Sequence, residues 1–264
     1  MGQSTMSRFP FFLVTQYPVT SLSALVAAPI LTATTYAIYY HHKISLRVHH
    51  ESIKTPISLQ KSLPITETFT SIPSSEFTTP HVALHDLASL TVHLPSLSRN
   101  YLTENNGNEE DLITRYLRHT MKLFASRLPQ GYILRLVVPR EARRTFQHEY
   151  IKNLKFQKGD VVCGIFRVAV NTSTKVEFEM MPVPGTGNVL KGGRMAVFIT
   201  PESGCGENLI ISTETITWKK EGEKGLLPLE TMVGRWMHEL AAWGLLDSGS
   251  RFLIDMDSKM AKSA

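Results

Sequence analysis

Three titratable side chains stand where proton transfer could be done: Glu214, His148 and His238. Glu214 sits in ENLIISTETITWKK, residues 207–220. Strand alternation sends Ile210, Ser212, Glu214, Ile216 and Trp218 to one face, and Leu209, Ile211, Thr213, Thr215 and Thr217 to the other. A carboxylate between Ile210 and Trp218 is costly on a buried face unless it is paired, solvated in a cavity or protonated. Three readings are open. The face is wet, with Trp218 at its rim; or Glu214 pairs with Arg194 or Arg235; or Glu214 lines a pocket between sheet and helix, where a raised pKa suits general acid or base work.

His238 and Glu239 are adjacent on a helical stretch, with His238 off its main apolar stripe, where a surface histidine is the ordinary reading. The tripeptide HEL lacks the second histidine of a zinc-binding H-E-x-x-H pair. The cluster RRTFQHEY brings Arg143, His148, Glu149 and Tyr150 together; it caps a pocket or is a solvated loop. Tyr150, Trp218 and Trp236 are the aromatic candidates for a substrate-binding wall. No serine lies in a Gly-x-Ser-x-Gly elbow, which disfavours a serine hydrolase. No Gly-x-Gly-x-x-Gly opens a helix, and Cys163 and Cys205 make neither a metal spacing nor a disulfide framework. Neither a metal nor a cofactor is expected.

The elements that must position these groups follow from periodicity. NEEDLITRYLRHTMKLFASRLP reads as a helix with Asn108 as N-cap and Pro129 closing it, and Ile113, Tyr116, Leu117, Thr120, Phe124 and Leu128 form its buried stripe. GDVVCGIFRVAV, the turn NTST and KVEFEMMPV make a β-hairpin, with Cys163 a small core residue of the first strand. RMAVFIT and ENLIISTETITWKK add two strands. PLETMVGRWMHELAAWGLL is a second helix, with Pro228 in its first turn, a buried face from Leu229 through Met232, Val233, Trp236, Met237 and Leu240 to Trp243, and Gly249 as a stop. The expected class is α+β: a curved antiparallel sheet of about four or more strands packed by helices, cone-like or, alternatively, of hotdog type.

The N-terminal third is a different kind of chain. No Asp or Glu precedes Glu51, and no charge falls between Arg8 and Lys43. Residues 21–40, within a segment 1–45, have about the length of a membrane anchor and end in YYHHK. Lys43, Arg47 and Lys54 then place the following domain in the cytosol, with a mitochondrial transit peptide as the alternative. Residues 46–80, rich in Ser, Thr and Pro, read as a linker or loosely docked arm, and the α+β domain as 81–264. A net charge of +5 with 42% hydrophobic residues fits a globular domain, and its positive excess reads as scattered, without the aromatic-interleaved basic runs of a nucleic-acid binder.

The stretches LITRYLRHTMKLFASRLP, YIKNLKFQKGDVVCGIFRV and ISTETITWKKEGEKGLLPLETMVGRWMHELAAW resemble a group of fungal proteins found beside secondary-metabolite biosynthetic genes. The likeness spans roughly residues 110–246 and rests on packing and turn residues, so it carries over no catalytic residue. What the resemblance implies is a setting, the processing of a polyketide, terpenoid or peptide intermediate. The expectation is a cofactor-independent isomerase, cyclase or dehydratase that acts on a small apolar intermediate. The alternatives are a thioesterase-like hydrolase of acyl thioesters and a non-catalytic, membrane-tethered accessory or binding protein. A homodimer is a candidate assembly.

Overall fold

The computed structural model describes residues 18–53, 57–58, 68–78, 80–95, 97, 111–182 and 192–263. Asn108 and the loop PGTGN lie outside them. The chain divides into Met1–Lys43 and a compact unit, Ile44–Ala264. In the first part, residues 21–40 belong to helix α1 (Pro18–Ser45). Among the described residues no helix is long and apolar enough to cross a membrane.

The compact unit runs β1 (His49–Ser52), β2 (Ile57–Ser58), β3 (His81–His93), α2 (Leu112–Arg127), α3 (Pro129–Val137), α4 (His148–Asn153), β4 (Val161–Val162), β5 (Phe166–Asn171), β6 (Lys175–Met180), β7 (Gly192–Glu202), β8 (Cys205–Lys220) and α5 (Met232–Ser263). The eight strands form one antiparallel sheet in the order β1-β3-β8-β7-β6-β5-β4, and β2 also pairs with β3. The sheet is open and the class is α+β. β3 is an element that the sequence reading does not single out: Leu84, Ala88, Leu90 and Val92 alternate as one buried face, and His81 and Ala83 at its start are buried on the other.

One face of the sheet packs against α2 and α5. The α2 stripe is as its spacing predicts, with Ile113, Tyr116, Leu117, Thr120 and Phe124 buried. Its end differs from expectation. The helix stops at Arg127, Leu128 is extended, and Pro129 opens α3 rather than terminating α2, since a proline at a first helical position lacks only an N–H that would have no partner anyway. The hairpin β5–β6 forms around residues 172–174. The run through Cys163 breaks, however, because Cys163 (φ 50°) and Gly164 (φ 70°) turn the chain sharply so that Val162 pairs back onto Phe166. Cys163 is fully buried, which pushes its thiol pKa up.

The second long helix departs further. Residues Pro228–Glu230 form a separate 3-10 turn in which Lys219 Nζ bonds Glu230 Oε2 (2.8 Å), and α5 then continues for 32 residues. Met232 and Val233, expected in the buried face, are 84% and 68% exposed, while Leu229 and Trp243 are buried. Gly249 is no stop. It lies inside α5, where a Cβ would come within 2.1 Å of Tyr116 Cε2, so the missing side chain lets the α2 tyrosine ring rest on the α5 backbone.

The opposite face of the sheet is covered by residues 68–78, expected to be linker and found to be a strap. Phe69 and Ile72 are buried with Ala83, Ala196, Ile216 and Trp218. Polar latches fix it. The buried Glu177 accepts bonds from Thr70 N, Thr70 Oγ1 and Ser71 N, each at 3.0 Å, and pairs with Lys175 Nζ at 2.6 Å. Burial alone would raise the Glu177 pKa, but these donors hold it below the usual carboxylate range. Arg194 Nε donates to Ser71 Oγ (3.0 Å), and Trp218 Nε1 donates to Glu76 Oε2 (3.1 Å).

The Tyr116–Gly249 contact gives a first test. Alanine is favoured over glycine within a helix by about 1 kcal/mol, yet forcing a methyl group against a buried ring costs roughly 1–3 kcal/mol. Gly249→Ala is therefore expected to lower stability in chemical denaturation; a gain would mean the ring moves aside freely.

Candidate active site

Between the sheet and the two helices lies a cavity of about 140 Å³, walled mainly by apolar side chains of α2, α5 and β5–β8. Its polar groups are few: the Tyr116 and Thr120 hydroxyls from α2, Thr213 and Thr215 from β8, and His238 from α5. The threonines come from the face of β8 opposite to Glu214, as alternation requires. Burial pushes the Tyr116 phenol well above its ordinary pKa, so it is a neutral hydroxyl at any ordinary pH.

His238 does not stand alone. Its Nε2 donates to Asp86 Oδ2 (3.2 Å), and His50 Nε2 donates to Asp86 Oδ1 (2.8 Å). Three elements converge here: α5 supplies His238, β3 supplies Asp86 and β1 supplies His50. The register explains the meeting. Asp86 pairs with Thr215 on one side and Ser52 on the other, in a row that continues through Met195 to Phe178 and so lies along the cavity floor. His50 stands diagonally next to Asp86, opposite Ala88, and its ring lies edge-on to Trp243 of α5 with centroids 4.8 Å apart.

Asp86 is only 3% exposed. Burial on its own drives its pKa upward, but hydrogen bonds from His238 and His50, together with their charge, outweigh that and hold it far below the ordinary carboxylate value. It is thus an anion inside the protein, held by two imidazoles. For His238 the arrangement fixes the tautomer. With Nε2–H committed to the carboxylate, Nδ1 is the nitrogen left to accept a proton.

The residues singled out in the sequence are not brought together. Only His238 lines the cavity. Glu214 lies on the opposite face of the sheet, 5% exposed, with Oε1 accepting from His85 Nε2 at 2.6 Å. Its partner is neither Arg194, which reaches the strap, nor Arg235, whose Nη2 donates to Leu229 O at 3.2 Å. The placement of Glu214 in a pocket between sheet and helix is corrected by strand parity, since the helices cover the threonine face. Trp218 goes with it. Its indole lies under the strap, against Gly192, where a Cβ would come within 2.1 Å of the ring, and 5.7 Å from the Arg194 guanidinium. His148 is exposed at the start of α4 and borders a separate shallow cavity with Tyr132 and Arg135. Tyr150 donates to Val161 O (2.9 Å), which ties α4 to β4, and burial pushes its pKa up. Trp236 is half-buried on α5 and is not part of the cavity wall.

Asp86 and His50 were missed, although a signal for Asp86 was present. In HVALHDLASLTVH the even positions read Val82, Leu84, Asp86, Ala88, Leu90, Val92, a carboxylate in an apolar alternation. Like Glu214, a carboxylate there is costly unless it is paired, solvated or protonated. His50 carries no such mark, because β1 is four residues long.

The sign of the Asp86 shift gives a second test. A carboxyl with a depressed folded pKa contributes stability that is complete above the ordinary range near 4 and is lost as pH falls through that range toward the folded value. Unfolding free energies measured between neutral pH and about pH 2 should fall with acid in the wild type and more shallowly in Asp86→Asn, whose neutral-pH stability is lower by roughly 2–3 kcal/mol. Equal slopes would mean that Asp86 is not held as a buried anion. No family model matches this chain, and no curated protein matches it.

Proposed function

We propose that the chain is a cofactor-independent enzyme of the isomerase, cyclase or dehydratase type acting on a small, largely apolar intermediate. His238 is its proton-transferring group and Asp86 the positioning carboxylate. The single observation that carries this reading is the His238 imidazole in the wall of a mainly apolar cavity, backed by the buried Asp86 carboxylate to which it donates. An Asp–His pair at a mainly apolar cavity is suited to take a proton from an acidic C–H or O–H. It can return the proton to a neighbouring carbon, which isomerises, or to a departing hydroxyl, which dehydrates. The Thr213, Thr215 and Tyr116 hydroxyls would orient a carbonyl or hydroxyl of the substrate, and the apolar wall would hold a reactive conformation and exclude water.

The cavity volume, about 140 Å³, is near that of an apolar cavity that takes a single ring, so the reacting portion of the substrate is one ring or a short chain. The resemblance of residues 110–246 to fungal biosynthetic-cluster proteins supports an intermediate of secondary metabolism as its source. We also propose the cone-like architecture. Two helices, α2 and α5, share the cavity with one face of the sheet, whereas a hotdog fold wraps its sheet around one long helix. That arrangement weakens the thioesterase-like reading. A carrier without chemistry is the second reading, supported by the apolar lining.

The test is a metabolite comparison in the producing organism after deletion and re-introduction of the gene. Deletion should remove a product and accumulate an isomer or hydrated precursor. His238→Gln should fail to restore the product and Asp86→Asn should restore less than about one hundredth of the turnover per molecule of protein present. Glu214→Gln, which changes only the far face of the sheet, should restore it. Full restoration by His238→Gln would leave the carrier reading in place.

A further inference from the structure

The nine-residue helix α3 turns its apolar side outward. Tyr132, Ile133, Leu136 and Val137 are 51%, 56%, 73% and 42% exposed, while Gly131 and Val138 are the buried positions. The spacing of the four, i, i+1, i+4 and i+5, places them on one side of the helix. A monomeric domain rarely leaves so many large apolar side chains together in water without a use for them.

The stretch of chain that carries this side is strongly cationic. Between Arg127 and Lys158 there are eight Lys and Arg residues against Glu141 and Glu149, an excess of six, whereas the whole chain has an excess of five. The positive charge that reads as scattered is therefore concentrated in this segment. Arg135 lies on α3 itself, exposed, and borders a shallow cavity with Tyr132. Arg140, Arg143 and Arg144 follow on the 3-10 turn Arg140–Phe146, and Arg143 Nη2 donates to Leu136 O (3.1 Å), which brings that turn against the last turn of α3.

We propose that α3 and the following turn form a membrane-docking surface that lies in the interface of an anionic bilayer. Tyr132, Ile133, Leu136 and Val137 insert at the headgroup–acyl boundary, and the exposed Arg135, Arg140 and Arg144 meet acidic headgroups, while Arg143 holds the turn to α3. A tyrosine beside aliphatic side chains suits that boundary. The charge decides between occupants. A second copy docked on this side by a two-fold axis would set one arginine cluster against the other, whereas an anionic lipid surface complements it. The inference does not depend on the chemistry proposed for the cavity, and it assigns the membrane contact to residues different from those of α1.

The test is co-sedimentation of the full chain with phosphatidylcholine vesicles, with and without about one third phosphatidylserine. The wild type should bind the anionic vesicles, bind neutral ones far less, and release with added salt. Ile133→Asp/Leu136→Asp and Arg140→Glu/Arg144→Glu should each weaken binding by more than about tenfold, with circular-dichroism melting unchanged because the positions are exposed. The proposal is overturned if the wild type ignores anionic vesicles. It is overturned equally if both variants bind as the wild type does, which would assign the attachment to α1 or another surface. A dimer that Ile133→Asp/Leu136→Asp dissociates, without vesicle binding by the wild type, would assign this side to self-association.

Discussion

A carboxylate cannot remain charged inside a protein unless donors surround it, and the donors around Asp86 come from opposite ends of the compact unit. His50 belongs to its first strand and His238 to its last helix. The anion therefore joins the edge of the sheet, a central strand and the covering helix at one point. Removing either imidazole leaves a buried charge partly unpaired, which is more costly than the bond itself is stabilising. A second buried anion repeats the device nearby, where Asp247 is paired with Arg47 and Arg251. The same constraint that holds the unit closed also fixes the imidazole that faces the cavity.

The sheet owes its character to being covered twice. Helices α2 and α5 lie on the threonine-bearing face of β8, and the strap 68–78 lies on the face that holds Glu214 and Trp218. The two faces hold different kinds of polar group. On the cavity side they are hydroxyls and one imidazole that lines the cavity, backed by the Asp86 anion. On the strap side they are ion pairs and carboxylates already engaged, Glu177 by backbone N–H groups and Lys175, and Glu214 by the His85 side chain. A carboxylate so engaged has little left to offer a substrate. One that orients a histidine acts through it.

Much of the scaffold was legible because long amphipathic segments declare themselves. The stripe of α2, the β5–β6 hairpin and strands β7 and β8 all follow from spacing of 3.6 or 2 residues. What was less legible lay where a polar residue interrupts a buried face. β3 alternates from Leu84 to Val92, but Asp86 stands in the middle of its apolar face and His85 on the face beneath the strap. Parity in β8 was read correctly, but the sequence does not say which of two buried faces the helices choose; the face richer in large apolar residues went to the strap. Gly249 reads as a helix stop from the residue alone, and only the Tyr116 ring beside it gives the other reason for a glycine. Of the three proposed proton-transfer groups, His238 lies at the cavity, although it sits off the main apolar stripe of its helix.

The pairing of β3 with β8 has a consequence for the order in which the chain acquires its structure. The ladder runs from His81 opposite Lys220 to His93 opposite Asn208, and even its nearer end joins residues 115 positions apart. Glu177 grips the strap across 107 positions, and Arg47 meets Asp247 across 200. Strands β5 to β8 can form hairpins soon after they leave the ribosome, but the strap waits for β6 and β7, and β3, which β1 and β2 cover on one edge only, waits for β8 on the other. Such non-local closure is intrinsically slow. Throughout that wait Leu84, Ala88, Leu90 and Val92 form an apolar strand face without its partner, so β3 is the segment that newly made chains are most exposed to mispairing through.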